Sequence, residues 1–533
     1  MPQSLPLFFL QLIYAISAFG LAAYGLQAFI LTLLRLRADH FTAADFTNTS
    51  GDCGGSSGDG KTDWPSVTVQ LPVYNELHVV GRLIDACARI DYPPDRLQIQ
   101  VLDDSDDDTT TFAKSRAAYW QRKGTDVQVL RRSSRRGYKA GALQEGLAST
   151  AGEFIAVFDA DFAPRPGFLR RTIPVFLAPS SAEVGFVQTR WAHLNPAFSA
   201  LTKAQALALD GHFVVEQAAR NSTGLPFGFN GSAGVWRRAC IEDAAVGGWQ
   251  ADTLCEDLDL SYRAQMAGWR GLYLDEVEAP AELPPQLLAF KRQQFRWAKG
   301  SVATLRKLGA RIWQGSWPLY KRIAALVHLG GYLIHPLLLL LLLVSPVLIL
   351  LGSQPFWPLA YLSLVSIGPP ALYALAQHRL HPRDWPRRWA FLPILMLLGM
   401  GLSLSNSVAA VQALLGRTGA FLRTPKFRVE TGERAFRPGG RAKAGTWQRS
   451  GYALGLEPVV GGELFLAAYA CAGCFVVAAG GHWWSLPFLA LYAGGYSLVA
   501  FVGLYESWLA RHGKKARGQS ASRLFRAKNL VKS

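Results

Sequence analysis

The chain has 533 residues, of which 50% are hydrophobic, and a formal net charge of +17. That length allows two or three domains, and the positive mean hydropathy of +0.13 indicates that part of the chain lies in lipid. The basic excess suits nucleic acid, a membrane surface or an anionic small molecule as a partner. The six cysteines show no disulfide rhythm, which argues against a disulfide-stapled module.

An apolar segment at the start of the chain predicts a membrane helix. Residues 1–34 carry no charged side chain and are long enough to span a hydrocarbon core of about 30 Å. A signal peptide would be shorter and would begin with basic residues, whereas Arg35 and Arg37 follow the apolar run. We therefore predict a transmembrane helix over 1–37 whose C-terminal end is cytoplasmic, followed by a Gly/Ser/Asp-rich linker over 38–65.

Five strands are predicted in the next part of the chain, which has an ordinary soluble composition. They fall within residues 66–76, 96–108, 126–132, 153–161 and 182–190. Helical stretches such as YKAGALQEGLAS alternate with them, and this alternation indicates a mostly parallel α/β sheet. We predict one cytoplasmic α/β domain over 66–310, with its ligand outside the carboxyl ends of the strands.

Acidic residues follow two of these strands. Asp103 and Asp104 come after the second strand, and Asp159 and Asp161 come after the fourth. Asp159 and Asp161 are either a simple acidic turn or a pair of carboxylates for Mg²⁺ or Mn²⁺ that leaves open positions for a diphosphate. Asp103 and Asp104 are likewise open to interpretation as a simple turn. The sequence contains neither GxGxxG nor GxxxxGK[ST], so phosphates would be held differently. Lys139, in the basic run RRSSRRGYKAG, is a candidate phosphate ligand.

Three further stretches of this domain carry candidate site residues. In FGFNGSAGVWRRA, the small residues around Asn230 indicate a backbone that approaches a ligand closely. In TLCEDLDLSYRAQMAGWR, Glu256 and Asp257 open a helical pattern. They are either charges favoured by the helix dipole or a general base opposite the metal site. In KRQQFRWAKGS, Arg296 and Trp297 either grip a charged leaving group and a sugar face or cover the end of an amphipathic helix.

Lipid-like runs return at 331–352, 358–377, 464–480 and 486–505. A shorter apolar stretch at 390–402 lies between two basic loops, 378–389 and 418–450, and is followed by several polar residues (Ser403, Ser405, Asn406 and Ser407). Both loops should be cytoplasmic, which is impossible if 390–402 crosses the bilayer. We therefore predict five crossings and one interfacial helix.

The rest of the predicted organisation follows from these runs. Interfacial and transmembrane helices occupy 311–417, a cytoplasmic loop 418–452, C-terminal transmembrane helices 453–510 and a basic cytoplasmic tail 511–533. The tail has no acidic residue and a single aromatic, Phe525. We predict anionic lipid headgroups as its partner rather than nucleic acid, because base stacking requires interleaved aromatic side chains.

Taken together, the motifs resemble those of the processive membrane glycosyltransferases of family 2. The likeness is greatest to cellulose synthase and the plant cellulose-synthase-like A and C proteins. That family's Asp, DxD, TED-type pair and QxxRW correspond in order to VLDDS, DAD, CED and QQFRW. QLPVYNE, FNGSAGVWR and FLRTPK, which is similar to the family's FxVTxK gating loop, extend the resemblance over roughly residues 66–430. Cys255 departs from the Thr of TED, and Phe162 stands where some cellulose synthases carry histidine.

The resemblance implies a fold and an activity. The fold is a GT-A type α/β domain with a Rossmann-like mixed sheet, joined to an α-helical transmembrane channel. The activity is that of an inverting, processive hexosyltransferase that makes a cellulose-like β-1,4-glucan or a mannan and passes it through the membrane. UDP-glucose is the preferred donor and GDP-mannose the other, with Mg²⁺ or Mn²⁺ as cofactor. Further partners are the growing glycan, membrane lipids and unidentified accessory export proteins.

Two other readings of the sequence stay open. One is a non-processive transferase that acts on a membrane lipid such as a ceramide, a diacylglycerol or a polyprenyl phosphate. The other is a transporter or receptor with a degenerate nucleotide fold, which requires every acidic position to be idle.

The resemblance also implies a role for each motif residue. Asp257 would deprotonate the 4-hydroxyl of the acceptor, with Asp104 and Glu256 as further catalytic residues, and Asp159 and Asp161 would hold the metal. The nucleotide sugar would be bound by Tyr74, Glu76, Asp103, Asp104, Lys139, Asp159, Arg296, Thr424 and Lys426. The acceptor would meet Gln293, Trp297, Phe229 and Asn230.

Overall fold

The computed structural model describes residues 5–37, 64–353, 362, 364–417, 426, 428 and 457–530. The predicted linker lies outside these residues except for its last two positions. The predicted cytoplasmic loop over 418–452 lies outside them except for Lys426 and Arg428, so Thr424 is also outside. Helix α1 (Leu5–Arg37) comes first and matches the predicted N-terminal membrane helix.

A seven-stranded mixed sheet forms the centre of the α/β domain. Its strands are β1 (Val67–Val73), β2 (Leu97–Asp103), β3 (Asp126–Arg131), β4 (Phe154–Val157), β5 (Val184–His193), β6 (Gly234–Arg237) and β7 (Arg270–Ala281). Their order is β3-β2-β1-β4-β6-β5-β7, and only β6 runs antiparallel to its neighbours. The five predicted strands and the mostly parallel sheet are confirmed, whereas β6 and β7 are additional.

Helices cover both faces of this sheet. Successive residues of β4 enter opposite cores: Phe154 and Ala156 join one buried cluster, and Ile155 and Val157 join the other. The longer helices of the domain are α2 (Val80–Cys87), α3 (Thr109–Gln121), α4 (Tyr138–Leu147), α5 (Ala200–Gly211) and α6 (Glu256–Met266). Helix α5 continues into a π-helical turn, His212–Gln217, and the short helix Ala218–Ser222. Other short helices are Phe168–Thr172, Pro174–Leu177 and Arg238–Glu242.

The strand register brings the predicted acidic residues to one edge of the sheet. Val73, the last residue of β1, pairs with Asp103 at the end of β2, and β4 runs parallel on the other side of β1. The segments that follow these three strands therefore leave the sheet side by side. This arrangement confirms the expectation that the acidic clusters share the carboxyl edge of the sheet.

In the part of the chain that the structure describes, eight longer helices follow the sheet. They are α7 (Leu287–Gln314), α8 (Leu319–Leu329), α9 (Ile334–Leu350), α10 (Gly368–Leu380), α11 (Leu392–Gly401), α12 (Ser403–Leu414), α13 (Val460–Ala479) and α14 (Leu486–Leu530), with a short helix at Trp385–Trp389. In the described part of the chain, four stretches are long and apolar enough to cross a membrane: Leu5–Arg37, Gly331–Leu350, Val460–Ala479 and Trp483–Leu509. The predicted crossing at 358–377 is described only in part, and α10 there has 13 residues.

The segment predicted as one interfacial helix continues as helix beyond residue 402. Trp385–Gly401 and Ser403–Leu414 meet at a bend of 48°, and together they are long and apolar enough for either a broken span or a re-entrant loop, so the interfacial placement stays a prediction. The polar residues after 402 do not end the helix because they are buried and bonded. The Ser403 hydroxyl lies 2.7 Å from the Tyr496 hydroxyl, and Asn406 Nδ2 lies 3.0 Å from His335 Nε2.

The end of α1 is bonded to the α/β domain. Arg35 is 2% exposed, and its Nη2 lies 3.0 Å from Asp275 Oδ2 on β7. Its Nε donates to the carbonyl oxygen of Val214, in the π-helical turn, at 2.7 Å. The basic end of the predicted anchor thus meets the domain directly.

Candidate active site

One cavity at the carboxyl edge of the sheet collects most of the predicted residues. It lies between the ends of β1, β2 and β4, the start of α6 and the side of α7. The predicted residues that line it are Tyr74, Glu76, Asp104, Lys139, Asp159, Asp161, Asn230, Glu256, Asp257, Gln293, Arg296, Trp297 and Lys426. Four motifs that are spread over about 190 residues of sequence are therefore brought to one place, as the resemblance implies.

The loops after β1 and β2 are fastened to each other. Asn75 has a left-handed backbone (φ 56°), a conformation that asparagine tolerates better than most residues. Its side-chain Nδ2 donates to Asp106 Oδ1 at 2.6 Å, and its Oδ1 accepts from the Asp106 backbone N–H at 3.0 Å. Its backbone N–H donates to the Ser105 hydroxyl at 2.9 Å. These bonds fix the positions of the residues on either side of the turn, including Tyr74.

A guanidinium lies on the ring predicted to stack with the nucleobase. The Arg135 guanidinium carbon is 3.2 Å from the centroid of the Tyr74 ring and 5.1 Å from that of Tyr138. Such cation–π contacts contribute on the order of 0.5–2 kcal/mol. A base that stacks on this face of Tyr74 must displace Arg135 or share the face with it.

Asp104 is held by the same arginine-rich segment. The Arg132 guanidinium binds the Asp104 carboxylate through two nitrogens, with Nε at 2.9 Å from Oδ1. Both side chains are under a tenth exposed. Arg132 also donates to the carbonyl oxygens of Arg136 and Tyr138, which ties the loop before α4 to the end of β2. Asp104 therefore reaches the cavity as part of a fixed ion pair.

Two residues that were predicted to contact ligands, Asp103 and Phe229, do not line the cavity. Asp103 is 1% exposed and does not line the cavity, because its carboxylate accepts from the Thr110 hydroxyl at 2.6 Å and the Ser105 N–H at 2.9 Å. It stabilises the turn rather than facing a nucleotide. Phe229, predicted on the acceptor side, is also 1% exposed and packs against Trp236 with ring centroids 5.1 Å apart. Its neighbour Asn230 reaches the cavity instead.

The DxD carboxylates are each paired with a lysine. Lys139 Nζ lies 2.7 Å from Asp159 Oδ1 and 3.4 Å from Glu256 Oε1, and Lys426 Nζ lies 2.5 Å from Asp161 Oδ2. Burial raises the pKa of the Asp159 carboxyl, although Lys139 acts in the opposite direction. Burial alone would lower the pKa of Lys139, but the charges of Asp159, Glu256 and Asp257 outweigh it and the pKa is raised. The lysine therefore stays cationic at neutral pH.

The donor set around the DxD suits a cation that the substrate helps to bind. Among the described residues, no group of three or more His, Cys, Asp or Glu side chains is arranged to hold a metal ion. Asp159 and Asp161 supply two carboxylates, and Mg²⁺ characteristically takes one or two carboxylates together with substrate phosphates. The residues present therefore fit a metal bound jointly with a diphosphate.

Asp257 has the environment of a general base. It lies in the first turn of α6, where its Oδ1 accepts from the Leu258 N–H at 2.8 Å. Burial, followed by the neighbouring charge of Glu256, raises the pKa of the Asp257 carboxyl to about 7, although Lys139 opposes this. A carboxylate with a pKa near the working pH accepts a proton efficiently and can release it again.

Two glycines allow the walls of the site to close around this base. Gly231 has φ +78°, and a Cβ there would lie 2.6 Å from Asp257 Oδ2. The backbone beside Asn230 therefore lies very close to Asp257, whereas its close approach to a ligand stays a prediction. On α7, a Cβ at Gly300 would lie 2.3 Å from Cys255 Sγ, so α7 packs directly against the residue before the acid pair. The small Cys255 side chain fits that narrow space.

Sequence reasoning missed the residues that hold the site together. Arg132 and Arg135 lie in the run RRSSRRG, which reads equally well as a solvated loop. The available signal was the concentration of arginines between β3, which follows an acidic cluster, and α4, whose first turn contains Lys139. Gly231 could be recognised only as one of several small residues.

The seven-stranded mixed sheet with helices on both faces is of GT-A type. Residues 65–300 match the family model described as glycosyltransferase like family 2. The match covers this segment, which is less than half of the chain, and it confirms for the segment the resemblance inferred from the four motifs.

Among named proteins, the chain is similar to plant glucomannan 4-beta-mannosyltransferases. It is 43% identical to a probable glucomannan 4-beta-mannosyltransferase 7 of Oryza sativa subsp. japonica over 253 residues, which is 47% of this chain and 43% of that protein. It is 39% identical to glucomannan 4-beta-mannosyltransferase 2 of Arabidopsis thaliana over 329 residues, 58% of this chain and 60% of that protein. The chain thus spans about half the length of the curated relatives it matches.

A solved mannosyltransferase from Pyrobaculum calidifontis, in complex with GDP-Man and Mn²⁺, is also similar. It shares 20% sequence identity and superimposes with a TM-score of 0.46, covering 75% of this chain and 99% of that one. A superposition this loose transfers neither ligands nor residue roles.

Proposed function

We propose that this chain is an inverting, processive hexosyltransferase that builds a β-linked mannan or glucomannan from a nucleotide sugar and passes it through the membrane. The observation that carries the proposal is the single cavity shared by the DxD carboxylates, the base Asp257 and the QxxRW side chains Arg296 and Trp297. These side chains would supply a diphosphate-binding end, a proton acceptor and a sugar platform around one volume.

The chemistry is a single displacement at the anomeric carbon. The acceptor hydroxyl oxygen forms the new bond to that carbon, and the bond from carbon to the diphosphate oxygen breaks. Asp257 takes the hydroxyl proton, and the raised pKa of its carboxyl suits it to hold that proton. Lys139 and Arg296 offset the negative charge that develops on the leaving diphosphate. Trp297 presents an indole face to the acceptor pyranose.

Asp159 and Asp161 would hold Mg²⁺ or Mn²⁺ when the diphosphate is bound. The ion would supply charge neutralisation to the leaving group. For that to happen, Lys139 and Lys426 must loosen their present contacts with the two carboxylates. Both lysines can turn to phosphate oxygens, which accept from an ammonium group equally well.

GDP-mannose is the donor that we propose. The names of the similar plant enzymes support mannose over glucose. The family resemblance implied a preference for UDP-glucose, which no observation tests. We choose GDP-mannose, the other donor that the resemblance implied. A guanidinium beside the base pocket, here Arg135, also suits the O6 and N7 acceptors of guanine.

Polar side chains among the apolar helices support the proposal that the product is exported. Tyr332, His335 and Asn406 lie beyond α7 on apolar helices, and the Tyr332 hydroxyl donates to Gln294 Oε1 at 3.3 Å. Within the described residues, His335 Nδ1 and Asn406 Oδ1 are buried and have no hydrogen-bond partner. Unpaired polar atoms among membrane helices are costly, and glycan hydroxyls or water would satisfy them. The catalytic domain is then cytoplasmic, as the positions of the basic loops predict.

The test is synthesis by the purified full chain in nanodiscs. Radiolabelled GDP-mannose, GDP-glucose and UDP-glucose are supplied separately with Mg²⁺ or Mn²⁺, and the products are sized and digested with linkage-specific mannanase and glucanase. Long mannanase-sensitive chains from GDP-mannose are the expected result. Glucan from UDP-glucose would refute the donor assignment, and a single sugar on lipid in every condition would refute processivity.

A further inference from the structure

The helix that carries Gln293, Arg296 and Trp297 is fastened at its start by groups from far along the chain. Helix α7 begins after Gln286, and no side chain from the N-cap position bonds to its first turn. Instead, the N–H groups of Leu287 and Leu288 donate to Glu506 Oε1 and Oε2 at 2.8 and 3.0 Å. Both oxygens of one carboxylate, on α14, thereby cap a helix that begins 219 residues earlier.

A second carboxylate holds the next turn of α7. Lys291 Nζ lies 2.6 Å from Glu463 Oε1 on α13, and the two side chains are 2% and 0% exposed. Glu457, just before α13, completes the contact at 3.3 Å from Lys291 Nζ and 3.1 Å from Arg292 Nε. The first two turns of α7 are thus bonded to both C-terminal apolar helices.

Burial of these two carboxylates on apolar helices is costly, which points to a specific role for them. Glu463 and Glu506 lie on stretches that are long and apolar enough to cross a membrane. Ionisable side chains there are expensive, and a buried ion pair is generally no more stabilising than apolar residues of similar size. Buried ion pairs do, however, fix one register between two elements where apolar packing would tolerate several.

The register of α7 against α13 and α14 determines where Gln293 and Trp297 lie in the cavity. Lys291 precedes Gln293 by two positions and Trp297 by six, so a slip or tilt of the first turns moves these side chains relative to Asp257. An error of about 1 Å between reacting groups can cost on the order of 10²-fold in rate. The contacts from α13 and α14 therefore act on Gln293, Trp297 and Arg296, which all lie on α7. Tyr74 and Asp104, which follow β1 and β2, are not held by these contacts.

We propose that Glu463 and Glu506 are positioning residues that lock the QxxRW helix in register with the C-terminal membrane helices. They keep the acceptor platform in line with the path that receives the product. This inference rests on the proposed function, because it concerns how a growing glycan is held during successive transfers. Neither residue touches substrate.

The experiment compares three variants of the full chain in nanodiscs. Glu506→Gln weakens the cap while keeping the shape of the side chain. The double variant Lys291→Met/Glu463→Leu replaces the ion pair by an apolar pair, so that no lone charge is left buried. Asp252→Asn is the matched control, because it removes an ion pair at the other end of α7 (Lys307 Nζ to Asp252 Oδ1, 2.8 Å) whose acid is 56% exposed. The thermal midpoint of each variant is recorded first.

Four quantities are then measured: GDP affinity, the rate of donor hydrolysis by water, the polymerisation rate and the product length. For Glu506→Gln and the double variant we expect shorter products and polymerisation slower on the order of 10²-fold. GDP affinity should stay near the wild-type value because Tyr74, Asp104 and Lys139 lie outside α7, and donor hydrolysis should fall less than polymerisation because only Arg296 moves with the helix. The control should match the wild type in all four. The conservative Glu506→Asp should recover part of the product length.

Two results would overturn the inference. One is wild-type polymerisation rate and product length in the double variant at an unchanged thermal midpoint. The other is a parallel loss of GDP affinity and polymer with a lowered midpoint, which would mean that the contacts serve stability alone. Failure of the proposed function is a separate outcome, since the wild-type protein itself would then make no polymer from any donor.

Discussion

Gly231→Ala should disable transfer without emptying the donor site. The added Cβ would lie 2.6 Å from Asp257 Oδ2 and 3.2 Å from Lys139 Nζ, whereas ordinary contact begins at 3.4 Å. Relief of the closer clash requires a shift of about 0.8 Å, and misplacement of a reacting group on that scale costs on the order of 10²-fold in rate. Separately, alanine at φ +78° pays about 1–2 kcal/mol of backbone strain.

The control for that strain is Gly124→Ala. Gly124 has φ +86°, and no atom lies within 4 Å of a Cβ placed there. Both variants should lose similar stability in a thermal melt, but only Gly231→Ala should lose turnover at saturating donor and acceptor. GDP binding, measured by calorimetry, should persist in both. Normal turnover in Gly231→Ala, or an equal loss in Gly124→Ala, would refute the assignment of this close approach to the base.

Four further outcomes are expected. Because Asp257 must be deprotonated to act and burial raises the pKa of its carboxyl to about 7, kcat/KM should fall below that pH and level off above it. Asp257→Asn should be at least ~10²-fold slower and lose this rise, so a flat wild-type profile would contradict the base. Asp161→Ala should abolish the response to Mg²⁺ and Mn²⁺, and full turnover of that variant in excess EDTA would disprove metal use. Trp297→Ala should bind GDP nearly normally yet make little polymer, as it loses roughly 1 kcal/mol of ring stacking; long products from it would exclude the platform role. A cysteine at Gly439 should resist an impermeant thiol reagent in intact cells while one at Ser353 reacts, and the reverse pattern would overturn the predicted topology.

The sheet could be predicted from sequence because its strands are short, buried and bounded by polar turns. β2 and β4 read as apolar runs that stop at aspartates, and parallel strands place such ends together. β6 was not predicted because its four residues, which begin with Gly234, show little hydrophobic periodicity. Its place between β4 and β5 depends on pairing with strands distant along the chain.

Side-chain direction accounts for the misplaced site residues. Asp103 and Asp104 are adjacent, so the pleat sends one towards Thr110 and the other towards the cavity, and the sequence does not distinguish them. Phe229 and Asn230 divide in the same way between the core and the cavity.

Burial of polar residues by remote partners could not be predicted either. Ser403 and Asn406 look like the end of a helix until Tyr496 and His335 are seen beside them. The cap from Glu506 on α7 is invisible for the same reason, since local sequence patterns contain no information on a partner 219 positions away.

The bonds made by Arg35 bear on how the protein should be produced for study. A soluble fragment starting near residue 64 would omit the guanidinium that binds Asp275 and the carbonyl oxygen of Val214. Loss of the partner of the Val214 carbonyl oxygen costs about 1–3 kcal/mol if that oxygen stays buried. Asp275 keeps Arg190, whose Nε lies 3.4 Å from its Oδ1. The damage would fall on the π-helical turn that begins at His212, whose ring nitrogen lies 3.1 Å from the amide of Asn230. A truncated enzyme would therefore retain its nucleotide pocket while its sugar-acceptor side loosened, and kinetic constants taken from it would understate glycan affinity.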